Sequence, residues 1–418
     1  MTERLLQFIW QFQYFNSKQL TTAEGESLQV IQPGIYNTNQ GPDFTDAKIR
    51  LGKTVWAGSI ELHICSSGWN NHGHSQDPNF NNVILHVVWE HDTGTGLPFS
   101  TLVLQDKVPK ILLSRYEELM NTGSFIPCGG NIRQVNTITW VAWKERLLIE
   151  RLQVKTTGIF KFLAATNNHW EETLWWLMAK NFGAKLNSTT FEAIARSVPF
   201  SLVAKHRHQL LQLEALLFGQ AGLLETIFEE DYPRTLQREY RFLQKKYKLK
   251  PVRTRLVLLR MRPSNFPTIR LAQLAMLLHQ CHRLFSFIKE SPGPEPVTKM
   301  LSVTASEYWN THYVFGETSR FKKKHTGSQM LRSLLINTVV PLVFAYGLWQ
   351  HEQAYKDKAL RWLEETDAEQ NSITDGFASL GVPNTNAFDS QALLQLKNTY
   401  CDRKRCLDCA IGNKLLRS

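Results

Sequence analysis

Apolar and polar positions follow two rhythms along the chain, and the change falls between residues 110 and 135. In residues 3–15, Leu5, Leu6, Ile9, Trp10, Phe12 and Phe15 recur at helical spacing and predict an amphipathic helix. Residues 28–31 predict a short strand that Pro33-Gly34 ends. Three stronger strands follow. Residues 47–51 alternate and turn at Gly52-Lys53. Residues 54–64 carry Ile60, Leu62 and Ile64 on one side of the pleat, with Glu61 and His63 on the other. Residues 83–90, VILHVVWE, are almost continuously apolar, as expected of a strand covered on both faces. Residues 101–105 give a last short strand, and the polar stretch 68–82 predicts a loop or short helix before residue 83.

Beyond a segment punctuated by Pro109, Gly123, Pro127 and Gly129-Gly130, helical spacing takes over. Helices are expected over residues 140–155, 170–182, 191–196, 208–218, 235–246, 269–289, 329–348 and 351–365, with a loop at Ser291-Pro-Gly-Pro-Glu-Pro296. The pattern predicts an α/β domain at 1–110, a linker at 111–134, an all-helical domain at 135–400 and a cysteine-bearing tail at 401–418. There is no repeat at a fixed period.

Composition changes this picture in three ways. With 418 residues and 43% hydrophobic content, the chain can bury more than one core. Six cysteines in a chain of this size argue against a secreted disulfide framework. The N-terminal helix carries Glu3, Gln7, Gln11 and Gln13, unlike a signal peptide, and no unbroken apolar run reaches the length of a membrane span. A soluble cytoplasmic protein with no membrane partner is expected. The net charge of +11 points to a polyanionic partner or to solubility alone.

The candidate chemistry is concentrated between residues 37 and 91. Gly41-Pro42-Asp43 precedes one strand and Glu61-Leu62-His63 lies on the next. Two carboxylates that converge on Mg²⁺ or Mn²⁺ can activate water and stabilise a charged phosphate, and a residue two places beyond the second shares its face. Asp43, Glu61 and His63 are the candidate catalytic residues, with Asp43 and Glu61 as metal ligands. His72 and His74 form a His-x-His pair in the polar stretch, a half-site for zinc or a similar ion.

Two further features lie outside this stretch. From Arg241 to Arg270 the chain has no Asp or Glu, and Lys245, Lys246, Arg253, Arg255, Arg262 and Arg270 are the expected nucleic-acid contacts. A second basic run, Arg320-Phe-Lys-Lys-Lys-His325, follows it. Cys401-x4-Cys406-x2-Cys409 has the spacing of a zinc knuckle, with Cys128 the best remote fourth ligand.

The layout of Pro42-Asp43 and Glu61-x-His63 resembles that of the PD-(D/E)XK nucleases, with histidine where that family usually has lysine. The resemblance implies a restriction-endonuclease-like α/β fold for the first hundred or so residues. Over nearly its whole length, through NQGPDFTDAKI, EALLFGQAGLL, RPSNFPTIRLAQLA and YCDRKRCLDCAIG, the chain also resembles a bacterial family of unknown function. Three functions stay open: a Mg- or Mn-dependent nuclease, a nucleic-acid-binding scaffold without turnover, and a histidine-metal hydrolase of a small molecule.

Overall fold

The computed structural model describes all residues except 95, 97, 255, 259–264 and 418. Two compact units result. The first comprises residues 1–143 and 396–418, and the second residues 144–395. These boundaries differ from the expected ones. The segment expected as a linker holds a helix, Lys110–Asn121, and the C-terminal cysteine segment belongs to the first unit. Periodicity reports local faces and carries no signal for such a long-range return of the chain.

The first unit is built on a mixed sheet. Helix α1 (Glu3–Gln11) starts at Thr2, whose hydroxyl accepts from the Leu5 amide at 3.2 Å, and it buries Leu5, Leu6, Phe8, Ile9 and Trp10. It ends earlier than predicted, with Gln13 in the left-handed region at φ 54°. The strands are β1 (Leu20–Thr21), β2 (Ser27–Gln32), β3 (Ile35–Tyr36), β4 (Phe44–Leu51), β5 (Thr54–Cys65), β6 (Val83–Glu90) and β7 (Ser100–Val103). They run in the order β1-β2-β4-β5-β6-β7, with β3 paired to β4. The pairs from β1 to β5 are antiparallel, while β5–β6 and β6–β7 are parallel. Parallel neighbours need a crossover. Here it is the polar stretch, folded as helix α2 (Gly68–Asn71) and two 3-10 turns, His74–Gln76 and Pro78–Phe80.

The second unit is helical around one core that includes Trp175, Phe182, Phe191, Phe218, Trp309 and Trp362. Where one helix was expected over 269–289, there are two, Pro267–Gln280 and Leu284–Glu290, because Cys281 takes extended backbone (φ −113°, ψ 115°). The helical stretch Ser328–Trp349 is long and apolar enough to cross a membrane by length and composition, yet 67% of its most apolar window is buried, as in a core helix. A π-turn at Leu335–Val339 precedes Pro341 within it. Such a turn re-routes backbone bonds where proline cannot donate.

Candidate functional site

The site forms where β4, β5, β6 and the crossover meet. Strand β4 contains a bulge: Phe44 pairs with Ile60 but Ala47 with Gly58, and Asp46 within the bulge has φ 56°. A bulge re-aims the residues beside it. Asn37 fixes the approach, since its amide donates to Asp43 O at 2.7 Å and its side chain to Pro42 O at 3.0 Å. Asp43 then reaches over β5. Its Oδ2 accepts from the Leu62 amide at 3.1 Å and its Oδ1 from Gln7 Nε2 of α1 at 2.7 Å. The Asp43 amide donates to Glu61 Oε2 at 2.9 Å. Three of the four carboxylate oxygens of the pair therefore accept bonds from the protein, while Glu61 Oε1 faces the histidines.

The face of β5 expected to be polar is buried: Glu61 is 7% exposed and His63 2%. The parallel register sets Glu61 beside His86, which is fully buried. His63 Nδ1 lies 2.9 Å from His86 Nε2, and His63 Nε2 lies 3.1 Å from His72 Nδ1. His74 Nε2 is 3.5 Å from Glu61 Oε1 and has no hydrogen-bond partner among the described residues. The crossover reaches His63 this closely because position 68 is glycine, where a Cβ would sit 2.8 Å from the imidazole ring. Asp92 clips the start of α2, accepting from Ser66 Oγ at 2.8 Å and the Ser67 amide at 2.9 Å. Phe80 stacks on the His74 ring at 3.9 Å between centroids, and Trp69 meets it edge-on.

Burial dominates the electrostatics. It raises the pKa of Asp43 and, more strongly, of Glu61, whose carboxyl is pushed further up by Asp43 beside it. Burial and the neighbouring imidazoles push His63 down to about 3 and His86 to about 4, and His74 is lowered too. Those three rings are neutral near pH 7, the form that offers a lone pair to a metal.

One donor atom from each of His63, His72 and His74 lies within 4.8 Å of the others. Two nitrogens bound to one tetrahedral ion at ~2.0–2.1 Å stand roughly 3.3 Å apart, close to the observed 3.1 Å between His63 and His72. This imidazole set fits a transition ion such as zinc, iron or nickel better than magnesium or manganese, which prefer oxygen ligands. His86 stands behind His63, its Nε2 2.9 Å from His63 Nδ1, where such a partner fixes ring orientation. Gln7, Asn37 and Asp92, which position this site, carry no motif in the sequence. A polar residue within the apolar stripe of α1 was the one signal for Gln7.

The expected basic contacts are scattered. Lys245 and Lys246 are exposed in the last turn of the helix Asp231–Tyr247, and Arg253 is exposed in the loop beyond it. Arg255 and Arg262 fall outside the described residues. Arg270 is internal at 6% exposure, giving Nη1 to Gln273 at 2.9 Å and Nη2 to Asn265 at 2.8 Å. It lines a cavity of about 560 Å³ in the helical unit together with Lys322, Lys323, Lys324 and His325, and among the described residues that lining contains no Asp or Glu.

The chain belongs to the family described as protein of unknown function (DUF2851), whose model matches residues 3–372. Neither the curated proteins nor the solved structures compared with it give a match.

Proposed function

We propose that this member of the family is a metal-dependent hydrolase of nucleic-acid phosphodiesters. The observation that carries the reading is the convergence of the His63, His72 and His74 nitrogens beside Glu61 Oε1. In this reading the three imidazoles hold one divalent transition ion. When bound, such an ion lowers the pKa of water and offsets charge on a phosphoryl oxygen. Glu61 Oε1, 3.5 Å from His74 Nε2, would serve as the general base; burial and Asp43 raise its pKa to about 8, and the charge of a bound dication would be needed to free it of its proton near pH 7. Asp43 is a positioning residue that fixes the backbone around Glu61. His72 is exposed, so the site opens to solvent on that side.

Support for a phosphodiester comes from order and charge. A helix, three antiparallel strands β2, β4 and β5, and a crossover to parallel β6 follow the order expected of a nuclease-like domain, with Asp43 at the head of β4 and Glu61-x-His63 on β5. The chain is basic, and the helical unit offers a cavity with Arg270, Lys322, Lys323 and Lys324 in its wall and no acid among the described lining residues.

The reciprocal bonding of Asp43 and Glu61 favours a second reading, a nucleic-acid-binding scaffold without turnover. The two separate in one experiment. Protein stripped with a chelator is reloaded with Zn²⁺, Ni²⁺ or Mg²⁺ and incubated with single- and double-stranded DNA and RNA. Cleavage that needs Zn²⁺ or Ni²⁺ and disappears in Glu61→Gln supports the hydrolase. Binding without cleavage under every ion supports the scaffold. Cleavage of a small phosphodiester but of no polynucleotide moves the substrate to a small molecule.

A further inference from the structure

The cavity in the helical unit gathers positive charge that its own described walls do not balance. Arg270, Lys322, Lys323 and Lys324 line it, and no Asp or Glu stands among the described lining residues. Two of these cations are internal, Arg270 at 6% exposure and Lys324 at 5%. Burying a charge is costly unless an opposite charge and hydrogen bonds offset it.

Neutral groups hold both buried cations in place. Arg270 lies near the start of the helix Pro267–Gln280, and Gln273 follows on the same face. Arg270 Nη1 donates to Gln273 Oε1 at 2.9 Å and Nη2 to Asn265 Oδ1 at 2.8 Å, while its Nε has no hydrogen-bond partner among the described residues. Gln273 Nε2 donates in turn to Lys324 O at 3.1 Å, which ties the basic run at 320–325 to that helix. Lys324 Nζ donates to Lys322 O at 3.1 Å and stands 3.9 Å from the centre of the Tyr313 ring. These contacts orient the guanidinium and the ammonium without cancelling either charge. The chain then enters the helical stretch Ser328–Trp349, whose N-cap, Gly327, has no side chain to cap the first amides. Gly327, Ser328 and Gln329 line the same cavity, so the positive end of a long helix adds to the two buried cations.

We propose that this cavity binds a compact phosphate group with at least two negative charges, a phosphomonoester or a pyrophosphate. Four cations without a described carboxylate in the wall call for more than one negative charge. Arginine offers a planar fork and lysine a point charge, and phosphate oxygens suit both. A volume of about 560 Å³ falls within the range of small-ligand pockets. Arg270 and Lys324 form the fixed side of the site, and Lys322 and Lys323 are exposed to solvent. Such a group has two sources, a free small molecule or the phosphorylated end of a nucleic-acid strand. The inference uses no residue of the histidine site, so its failure and that of the hydrolase reading, which Glu61→Gln tests by cleavage, are separate.

The test is titration calorimetry of the full chain with inorganic pyrophosphate, where one equivalent should bind. Lys322→Ser/Lys323→Ser should bind it at least roughly tenfold more weakly, since a hydrogen bond to a charged group is worth that factor or more. Arg270→Gln should weaken it too. Lys245→Ser/Lys246→Ser removes the same charge from the exposed end of the helix Asp231–Tyr247 and should bind as wild type. Should Arg270→Gln fold poorly, the two exposed lysine pairs carry the test. Displacement of pyrophosphate by a 5′-phosphorylated oligonucleotide and not by its 5′-hydroxyl form assigns the group to a strand end, and displacement by neither assigns it to a free small molecule. A wild-type chain that binds no pyrophosphate overturns the proposal. So does unchanged binding in Lys322→Ser/Lys323→Ser, or an equal loss in both lysine-pair variants, which would leave net charge as the whole effect.

Discussion

The Asp43 amide donates to Glu61 Oε2 at 2.9 Å, while Asp43 Oδ2 accepts from the amide of Leu62, the residue next to Glu61, at 3.1 Å. Each acid thus holds the other's strand. Asp43 stands where a nuclease-like domain would carry a metal ligand, yet its oxygens are committed to Leu62 and Gln7. In the proposed site it would keep Glu61 Oε1 turned toward His74, although its own hydrogen bonds go to none of the three imidazoles.

Asp43→Ala should therefore weaken metal binding without removing a ligand. Loss of an outer partner lowers metal affinity by roughly 10–100-fold, and the orphaned Leu62 amide costs on the order of 1–3 kcal/mol of stability. Titration calorimetry with Zn²⁺ or Ni²⁺ and thermal melts measure both. Asp43→Asn keeps one acceptor oxygen and should fall between wild type and Asp43→Ala. An Asp43→Ala variant with wild-type affinity would leave the lock without a function.

Glu61→Gln removes the base and preserves the shape. Loss of a positioned general base slows a reaction by roughly 10²–10⁴-fold. Nucleic-acid affinity should stay within about twofold, since Glu61 is 7% exposed and adds no favourable charge for a polyanion. Rate and binding measured on the same preparation separate these effects. His74→Ala should instead lower metal occupancy, because His74 Nε2 has no other hydrogen-bond partner among the described residues.

Much of this arrangement was legible in the sequence. Strand β6 runs over Val83–Glu90 and one helix over Trp170–Phe182, as the continuous apolar run and the helical spacing predict. The His-x-His pair does stand beside Glu61 and His63, because two residues apart on a strand share a face and the crossover is short. Other features left no local trace. Strands β1 and β3 have two residues each, too few for a period. The polar face of β5 is buried by the crossover, which no residue of β5 announces. Arg270 looks like a surface cation in the sequence, and its burial follows from packing of the helix Pro267–Gln280, where nearly every side chain is covered.

If Lys245, Lys246 and Arg253 contact phosphates, each should add about one unit to the slope of log affinity against log salt. The triple Ala variant should bind DNA or RNA with a slope shallower by about three. Arg270→Gln tests the cavity separately. Arg270 is only 6% exposed, so its removal should leave the salt slope of polynucleotide binding nearly unchanged. An unaltered slope in the triple variant would make those side chains a solvated face only.

The last prediction concerns Glu214 in the helix Leu210–Gln220, a carboxyl only 2% exposed in the helical core. Tyr232 donates to its Oε2 at 2.8 Å and Ser306 to its Oε1 at 2.7 Å. These bonds and His279 nearby favour the charged form, but burial outweighs them and raises Glu214 to about 7. The sign follows from proton counting. Between the ordinary carboxyl value of 4.5 and about 7, the folded chain holds a proton that the unfolded chain has released. The protonated form's advantage is complete below 4.5 and is lost as pH rises through 7. The shift corresponds to about 3 kcal/mol at most. Glu214→Gln keeps the size and stays neutral, so it should melt near wild type at pH 4 and above it at pH 8, by several degrees if the helical unit melts on its own. Chemical denaturation at the two pH values gives the difference directly. A Glu214→Gln variant equally destabilised at both would mean that the two hydroxyl bonds, and not the buried charge, set the cost.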